Sequence, residues 1–446
     1  MTDLVAAAKE LGVDRVQVLF ADQHGLLKGR AVRVDYLAEV QDQGLGVPGS
    51  LLAKDTGGAY AVPVWAPSGD EVLDQLVGAR NMLLFPDPST LRPMPWSPHS
   101  AMVLSDLHTT DGEPIPHSAR AVARRQLDDL ASRGWQMRAG LEYEFHLYRS
   151  QPDEAVVHGH AGWDLLGAEA LDSVDDVLQP IVQGLTDMGL PPVTVEVELG
   201  PSQVELTFDP DMGITIADHA VMVRHAVRAV AKRNGCHATF MSRPAVGDSF
   251  SSGWHLHQSL VEEDGGGAVF RTGQADDLSD VGSAWIAGLL EHAAAACLLT
   301  TPTVTGYKRF RPRAVTPDRV SWSRQHRGAM LRLVGAGDSL RVENRAGDPA
   351  ANPYLYLASQ VACGLIGVDE GLRAPEPTED PYSPAGGDLL PRSLGEAIDD
   401  FDGDETLQAA LGGDVASYLL SLKRSEWGRF LSAVTDWEQQ EYFTLF

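Results

Sequence analysis

The chain has 446 residues, 43% hydrophobic and 22% charged, enough for one large core with a smaller companion or for two or three domains. A formal net charge of −27 argues against nucleic acid or an anionic membrane as partner. No run of about 18 apolar residues exists, so no transmembrane helix is expected. The opening MTDLVAAAKELG lacks a basic stretch followed by an apolar one, so no signal peptide is expected. Cys236, Cys297 and Cys363 are widely spaced, form no metal-like pattern and fit a reducing cytoplasm.

Residues 1 to about 105 read as a small α/β unit. Leu4 to Leu11 is a short helix, and strands over Val16 to Ala21 and Leu27 to Val34 flank a turn at Gln23-His24-Gly25. Gly- and Pro-rich segments follow, then an apolar strand over Met82 to Phe85 and the connector DPSTLRPMPWSP. A domain boundary falls near the loop TTDGEPIP, dividing the chain into 1–108 and 109–446. Beyond it helices and strands alternate. Ser118 is the N-cap of a helix that ends near Arg133-Gly134. Gln136 to Tyr148 is a strand, followed by a polar loop with His158 and His160. Further helices are expected over Val174 to Met188, Ile214 to Arg233, Gly282 to Leu299 and Asn352 to Leu365, and strands over His237 to Met241 and Trp254 to Leu260. Thr301 to Gly335 reads as Arg-rich and irregular, and the tail from Ser393 holds two or three amphipathic helices.

The stretch Thr194 to Phe208, TVEVELGPSQVELTF, carries the chemistry. Val195, Val197 and Leu199 alternate with Glu196 and Glu198; after a Gly-Pro corner, Val204, Leu206 and Phe208 alternate with Gln203, Glu205 and Thr207. Period 2 means two strands, each with one apolar face and one acidic face. In AGLEYEFHLY, Glu142, Glu144 and His146 share a face, and in SSGWHLHQSL, His255 and His257 do. Glu343 lies between Arg341 and Arg345. Like charges two residues apart on one face repel unless a cation or a proton relieves them. Carboxylates with histidine suit Mg²⁺ or Mn²⁺, and arginines beside them suit transfer of a phosphoryl group. No Walker loop, GxGxxG or GxSxG is present.

These motifs resemble those of the glutamine synthetase family, in the same order and across nearly the whole chain. AGLEYEFHLY resembles GxEPEFFLF, VEVELGPSQVELTF resembles E-x-GPGQ-x-E, and ATFMSRPAVGDSFSSGWHLHQSL resembles ATFMPKPxxGxxGSGMHxHxSL. GYKRF with RQHRGAMLRLVG, and RVENRAGDPAANPYL, have counterparts too. The resemblance implies an α+β protein with an N-terminal β-grasp domain and a catalytic domain of curved antiparallel strands. It implies two stacked hexameric rings, each site completed by a neighbour's N-terminal domain. ATP would phosphorylate the glutamate side chain to γ-glutamyl phosphate, and an amine would displace phosphate. Carried over by position, Glu144, Glu198 and Glu205 match the ligands of one metal, and Glu142, His255 and Glu343 those of a second. Arg309, with Gly253 and Arg345, matches the glutamate site. Arg327 and Arg345 match the arginines on the transferring phosphoryl group, and His257, Ser259, Arg332 and Arg341 match the ATP side. Glu196 matches no ligand, and Ser202 replaces a glycine.

Three positions depart from the family pattern. Where KRLVPGYEAP carries a glutamate that binds ammonium, KRFRPRAVTP has Ala314 and Val315. Pro48 stands for an aspartate that contacts ammonium, and Phe250 for an asparagine that closes the glutamate site. Losing two carboxylates leaves a roomier, more apolar amine pocket. The expected activity is a γ-glutamylamide ligase acting on a polyamine, ethanolamine or a small alkyl or aryl amine. The alternatives are a true glutamine synthetase using ammonium and a non-catalytic member of the fold. Tyr382 is no match for a regulatory tyrosine motif.

Overall fold

Period-2 runs and continuous apolar runs sort the strands into two sheets. The computed structural model describes residues 3–67, 69, 73–150, 155–157, 164–244, 250–263, 266–272, 278–310 and 315–446. His158, His160 and Ala314 lie outside them.

The first part of the chain runs α1 (Leu4–Glu10), β1 (Arg15–Ala21), β2 (Leu27–Arg33), α2 (Leu37–Gln43), β3 (Leu45–Pro48), β4 (Asn81–Pro86), β5 (Arg92–Pro93) and β6 (Ser100–His108). Its sheet has the order β2-β1-β6-β4-β3, with β5 on β6. The β1–β2 turn forms because the Asp22 carboxylate accepts the His24 and Leu26 amides at 2.9 Å each. Gly25 closes it at φ +69°, where a Cβ would lie 3.0 Å from Asn352 Cα. The connector region thus hides a central strand, β6, which runs parallel to β1. It is buried along most of its length, so it shows no alternation to read.

The second part runs α3 (Ala119–Ser132), β7 (Trp135–Ser150), β8 (Ala155–Val157), α4 (Ala168–Asp172), α5 (Asp175–Asp187), β9 (Thr194–Val197), β10 (Gln203–Thr207), β11 (Asp211–Met212), α6 (Thr215–Arg233), β12 (Cys236–Thr239), β13 (Trp254–Glu262), α7 (Asp280–Glu291), α8 (Ala293–Thr300), β14 (Trp322–Arg324), β15 (Leu331–Val334), β16 (Arg341–Asn344), α9 (Pro353–Asp369), α10 (Leu394–Gly403), α11 (Glu405–Leu411), α12 (Gly413–Leu431) and α13 (Asp436–Tyr442). The second sheet has the order β14-β15-β16-β13-β7-β10-β9, with β8, β11 and β12 also on β7. Helices α3 and α6 pack against β7, whose Leu141, Tyr143, Phe145 and Leu147 are buried. Ser118 stands at the N-cap of α3, although its hydroxyl makes no capping hydrogen bond.

Three expectations change. Gly282 to Leu299 is two helices rather than one: the chain bends by 77° between α7 and α8. His292 at the break bonds Asp404 through Nδ1 at 2.7 Å, which holds the bend. Thr301 to Gly335 contains β14 and β15, short strands whose arginines mask the alternation. The tail forms four helices, α10 to α13. Among the described residues no single helix is long and apolar enough to cross a membrane.

The two parts are joined by charge. The buried Arg120 of α3 bonds Asp218 of α6 at 3.0 and 2.8 Å, Asp106 of β6 at 2.7 Å and Asp87 at 2.8 Å. Satisfying each donor is what makes a buried guanidinium tolerable.

Candidate active site

Strand register turns separated acids into lines across the second sheet. Glu196 of β9 lies opposite Glu205 of β10, and Glu205 lies opposite Glu144 of β7. The next line is Thr194, Thr207, Glu142 and His255. The one beyond is Gly140, His257, Glu343 and Arg332. All face one side because register pairs share a face.

Three groups of ligating atoms lie within 4.8 Å of one another: Glu142 with His255 and Glu343, Glu144 with Glu205 and His255, and Glu196 with Glu198 and Glu205. Two ionised carboxylates at that spacing repel by roughly 3.5 kcal/mol at an effective dielectric of about 20. A solvated acidic face would spread them apart. Here Glu205 is only 6% exposed and makes no hydrogen bond among the described residues. Burial, then Glu142, Glu144 and Glu198, push its carboxyl up to about 12. Burial and Glu198 push Glu144 up to about 8, and burial raises Glu198 as well. An unpartnered buried acid among acids fits a hard divalent cation. Glu205, Glu144, Glu198, Glu142, Glu343 and His255 carry the donor atoms such cations would use. Glu198 approaches Glu205 together with Glu196, so the expected trio of Glu144, Glu198 and Glu205 does not form a single close group.

The other side of the site is held by its own charges. His255 Nδ1 bonds Glu142, and its Nε2 lies 3.8 Å from Glu144. Arg341 Nε donates to His257 Nδ1 at 3.1 Å, which leaves the proton on Nε2 to donate to Glu142 at 3.0 Å. Burial pushes the Glu142 carboxyl up, but His255 and His257 outweigh it and hold it well below the carboxylate range. Glu343, with no exposed surface, accepts from Arg332 and from Arg345 Nη1 at 2.6 Å. Burial raises it, yet Arg345 and the two histidines bring it below its ordinary value. Gln203, on the acidic face of β10, donates to Glu144 at 2.7 Å. Its alternation with Glu205 and its place in the stretch that resembles E-x-GPGQ-x-E are the sequence signals for it.

A cavity of about 940 Å³ opens onto these rows. Glu142, Glu144, Glu196, Glu198, Glu205, His255, Gly253, Arg309, Arg327 and Arg345 all line it. Arg309 is buried and donates to the carbonyls of Ala346 and Gly347 at 3.0 and 2.6 Å. A Cβ at Gly253 would lie 2.8 Å from His255 Nε2 and 3.1 Å from Arg309 Nη2, so glycine keeps this floor open. Val315, 48% exposed and at φ +62°, and Phe250 line the same cavity. Leu165 and Leu166 do too; no period or motif marked them. Pro48 ends β3 on the first sheet and does not line the cavity.

A second cavity of about 660 Å³ takes His257, Ser259, Arg332 and Arg341 into its wall. It shares Glu142, Thr207 and Arg332 with the first. The acid rows therefore lie where two chambers meet. That geometry can bring the phosphate end of one substrate to the carboxylate of another.

The model for the glutamine synthetase catalytic domain matches residues 116–442. The chain is 36% identical over 476 aligned positions to a γ-glutamylanilide synthase of an Acinetobacter species, covering 99% of this chain and 95% of that protein. It is 31% identical to the γ-glutamylethanolamide synthetase GlnA4 of Streptomyces coelicolor, covering 99% and 94%. A glutamine synthetase of Methanocaldococcus jannaschii is 33% identical over 81% of this chain and 83% of that protein. A solved structure described as a GmaS/ADP complex superposes with a TM-score of 0.87 at 28% identity, over 100% of both chains. With the acid rows, the paired chambers and a matching catalytic domain, this chain belongs to the glutamine synthetase family of ATP-dependent ligases.

Proposed function

We propose that the protein is a γ-glutamylamide synthetase, joining the γ-carboxylate of L-glutamate to an organic amine at the expense of ATP. The observation that supports this is that three apolar side chains, Val315, Leu165 and Leu166, line the same larger cavity as the acid rows. A small, strongly hydrated ammonium ion gains nothing from that wall, whereas an alkyl or aryl group buries against it. The relatives named for anilide and ethanolamide products support the same reading.

In the first step a γ-carboxylate oxygen of glutamate attacks the γ-phosphorus of ATP, and ADP leaves. Arg309 orients the α-carboxylate from the cavity wall, and Gly253 leaves room for the substrate. Arg327 and Arg345 offset the charge on the transferring phosphoryl oxygens. His257, Ser259, Arg332 and Arg341 hold the nucleotide from the smaller chamber. In the second step the neutral amine nitrogen attacks the γ-carbonyl carbon. The C–N bond forms, the C–O bond to phosphate breaks, and the amine proton leaves with phosphate. Glu144, Glu198 and Glu205 would hold one divalent cation and Glu142, His255 and Glu343 another, Mg²⁺ or Mn²⁺. When bound, these cations supply charge neutralisation between the substrates' anionic groups.

The division at residues 108 and 109 separates a β-grasp domain from the catalytic one. We further propose two stacked hexameric rings in which a neighbour's N-terminal domain brings Pro48 to the amine pocket. Pro48 lies off its own chain's cavity, and the C-terminal tail exposes Trp437, Phe443, Leu445 and Phe446, both of which fit burial against another copy. Three free, buried cysteines agree with work in the cytoplasm. The test is phosphate release from ATP with glutamate, Mg²⁺ or Mn²⁺, and a panel of amines including ammonium. Turnover with organic amines and little with ammonium is expected. Ammonium as best substrate would make the protein a glutamine synthetase, and no release with any amine would make it non-catalytic.

A further inference from the structure

Helix α6 carries Arg224, Arg228 and Lys232 at i, i+4 and i+8, which puts all three on one face. Like charges at that spacing destabilise a helix, and the one acid of α6, Asp218, is taken up by Arg120 and Tyr354. The three cations line a cavity of about 520 Å³ formed by α6, the β1–β2 turn and β12, together with His225 and His237. Leu27 and Val221 give it an apolar wall. Among the described residues no carboxylate lines it, in a chain with 62 Asp and Glu against 35 Lys and Arg.

Arg224 is 5% exposed, and its hydrogen bonds all go to main-chain carbonyls: Pro349 at 3.1 Å, Ala351 at 2.9 Å, and Gly25. Carbonyls satisfy a guanidinium's donors but leave its charge without a counter-ion. The acids that act on it through space are committed elsewhere. Asp22 accepts the His24 and Leu26 amides, and Asp348 accepts from Ser242 at 2.6 Å and Thr303 at 3.0 Å. The side chains of His225, Arg228, Lys232 and His237 make no hydrogen bond or ion pair among the described residues. Desolvation and then Arg228 hold both imidazoles below their ordinary pKa, as expected of positive charge that no acid offsets.

We propose that this cavity is an anion site, separate from the active site, for a small organic phosphate. The phosphate lies against Arg228 and Lys232 with the charge of Arg224 beneath it, and the organic part lies on Leu27 and Val221. The volume suits a small molecule rather than a bare ion. Arg224 ties the β1–β2 turn to the segment before α9, so the filled site braces the junction between the two parts of the chain. The proposal is independent of which amine the enzyme takes.

The test uses the full-length protein at fixed ionic strength, with phenyl phosphate, inorganic phosphate and citrate as probes. Titration calorimetry gives Kd, and thermal melting gives the shift in Tm. The unaltered protein is compared with Arg228→Gln, with Arg228→Gln/Lys232→Gln, and with Arg341→Gln, which alters the nucleotide chamber instead. Arg228 and Lys232 are exposed and unpaired, so both cavity variants should fold and release phosphate from ATP as the unaltered protein does. Phenyl phosphate should bind saturably, more tightly than inorganic phosphate or citrate, and raise Tm by a few degrees. Its Kd should weaken about tenfold in Arg228→Gln, further in the double variant, and stay unchanged in Arg341→Gln. No saturable binding, or a Kd unchanged in the cavity variants, would overturn the proposal. So would loss of binding in Arg341→Gln alone, which places the anion in the nucleotide chamber, and so would citrate as the tightest probe, which takes away the phosphate assignment.

Discussion

Replacing Glu205 with glutamine should stabilise the cation-free protein and weaken its response to cations. Glu205 is 6% exposed and faces Glu144 and Glu196 across both neighbouring strands. Its carboxyl is pushed from an ordinary 4.5 to about 12 by burial and neighbouring acids. A carboxyl raised in this way binds a proton in the folded state that the unfolded chain gives up. Its contribution is complete below the unfolded value near 4.5 and is lost as pH rises. At about pH 7.5 the loss is about 1.36 kcal/mol for each of roughly 3 pH units, or about 4 kcal/mol. The pairwise repulsion of roughly 3.5 kcal/mol at this spacing is of the same size. Glu205→Gln keeps the shape and removes that loss, so without cation its Tm should rise on the order of 5 °C at about pH 7.5 and hardly change at about pH 4.5. Calorimetry or dye-based melting with and without Mn²⁺ is the assay. The unaltered protein should gain more from Mn²⁺ than the variant does, because binding stabilises whatever it binds. A lower Tm for the cation-free variant at about pH 7.5, or an equal Mn²⁺ gain, would refute the role given to the acid line.

Val315→Glu should raise kcat/KM for ammonium about tenfold by restoring a carboxylate at the amine pocket; unchanged ammonium use would show that Val315 does not set the preference. Glu343→Gln should abolish phosphate release with every amine, by more than about a thousandfold, because it loses a cation donor and the acceptor shared by Arg332 and Arg345; an unchanged far-UV circular dichroism spectrum separates this from unfolding. His117 is buried against Tyr418, and neither ring nitrogen has a hydrogen-bond partner among the described residues. Burial lowers its pKa to about 4, so the unfolded chain binds its proton first as pH falls. Stability should drop by roughly 3 kcal/mol between about pH 6.5 and 4, and His117→Phe should flatten that part of a Tm–pH profile.

The acid rows were legible in the sequence because each strand carries its carboxylates at period 2 on one face. What the period does not give is the partner strand. Glu196 and Glu198 look equivalent along the chain, yet only Glu196 lies in register with Glu205, while Glu198 follows the end of β9. Strand β6 escaped because a central strand buried on both sides has no polar face to alternate with. The α7–α8 bend escaped because its cause, the His292–Asp404 contact, joins residues far apart in sequence. Leu165 and Leu166 are exposed apolar residues in a turn, and only the fold brings that turn to the cavity. Pro48 belongs to the reading through a neighbouring copy, which a single chain does not contain.

The most direct test is competition. The protein is given ATP, glutamate and Mg²⁺ with equal concentrations of ammonium and of an organic amine, and the products are identified by mass spectrometry. The predicted product is the γ-glutamylamide of the organic amine, with glutamine a minor component for at least one amine of the panel. Glutamine as the main product against every amine would contradict the assignment.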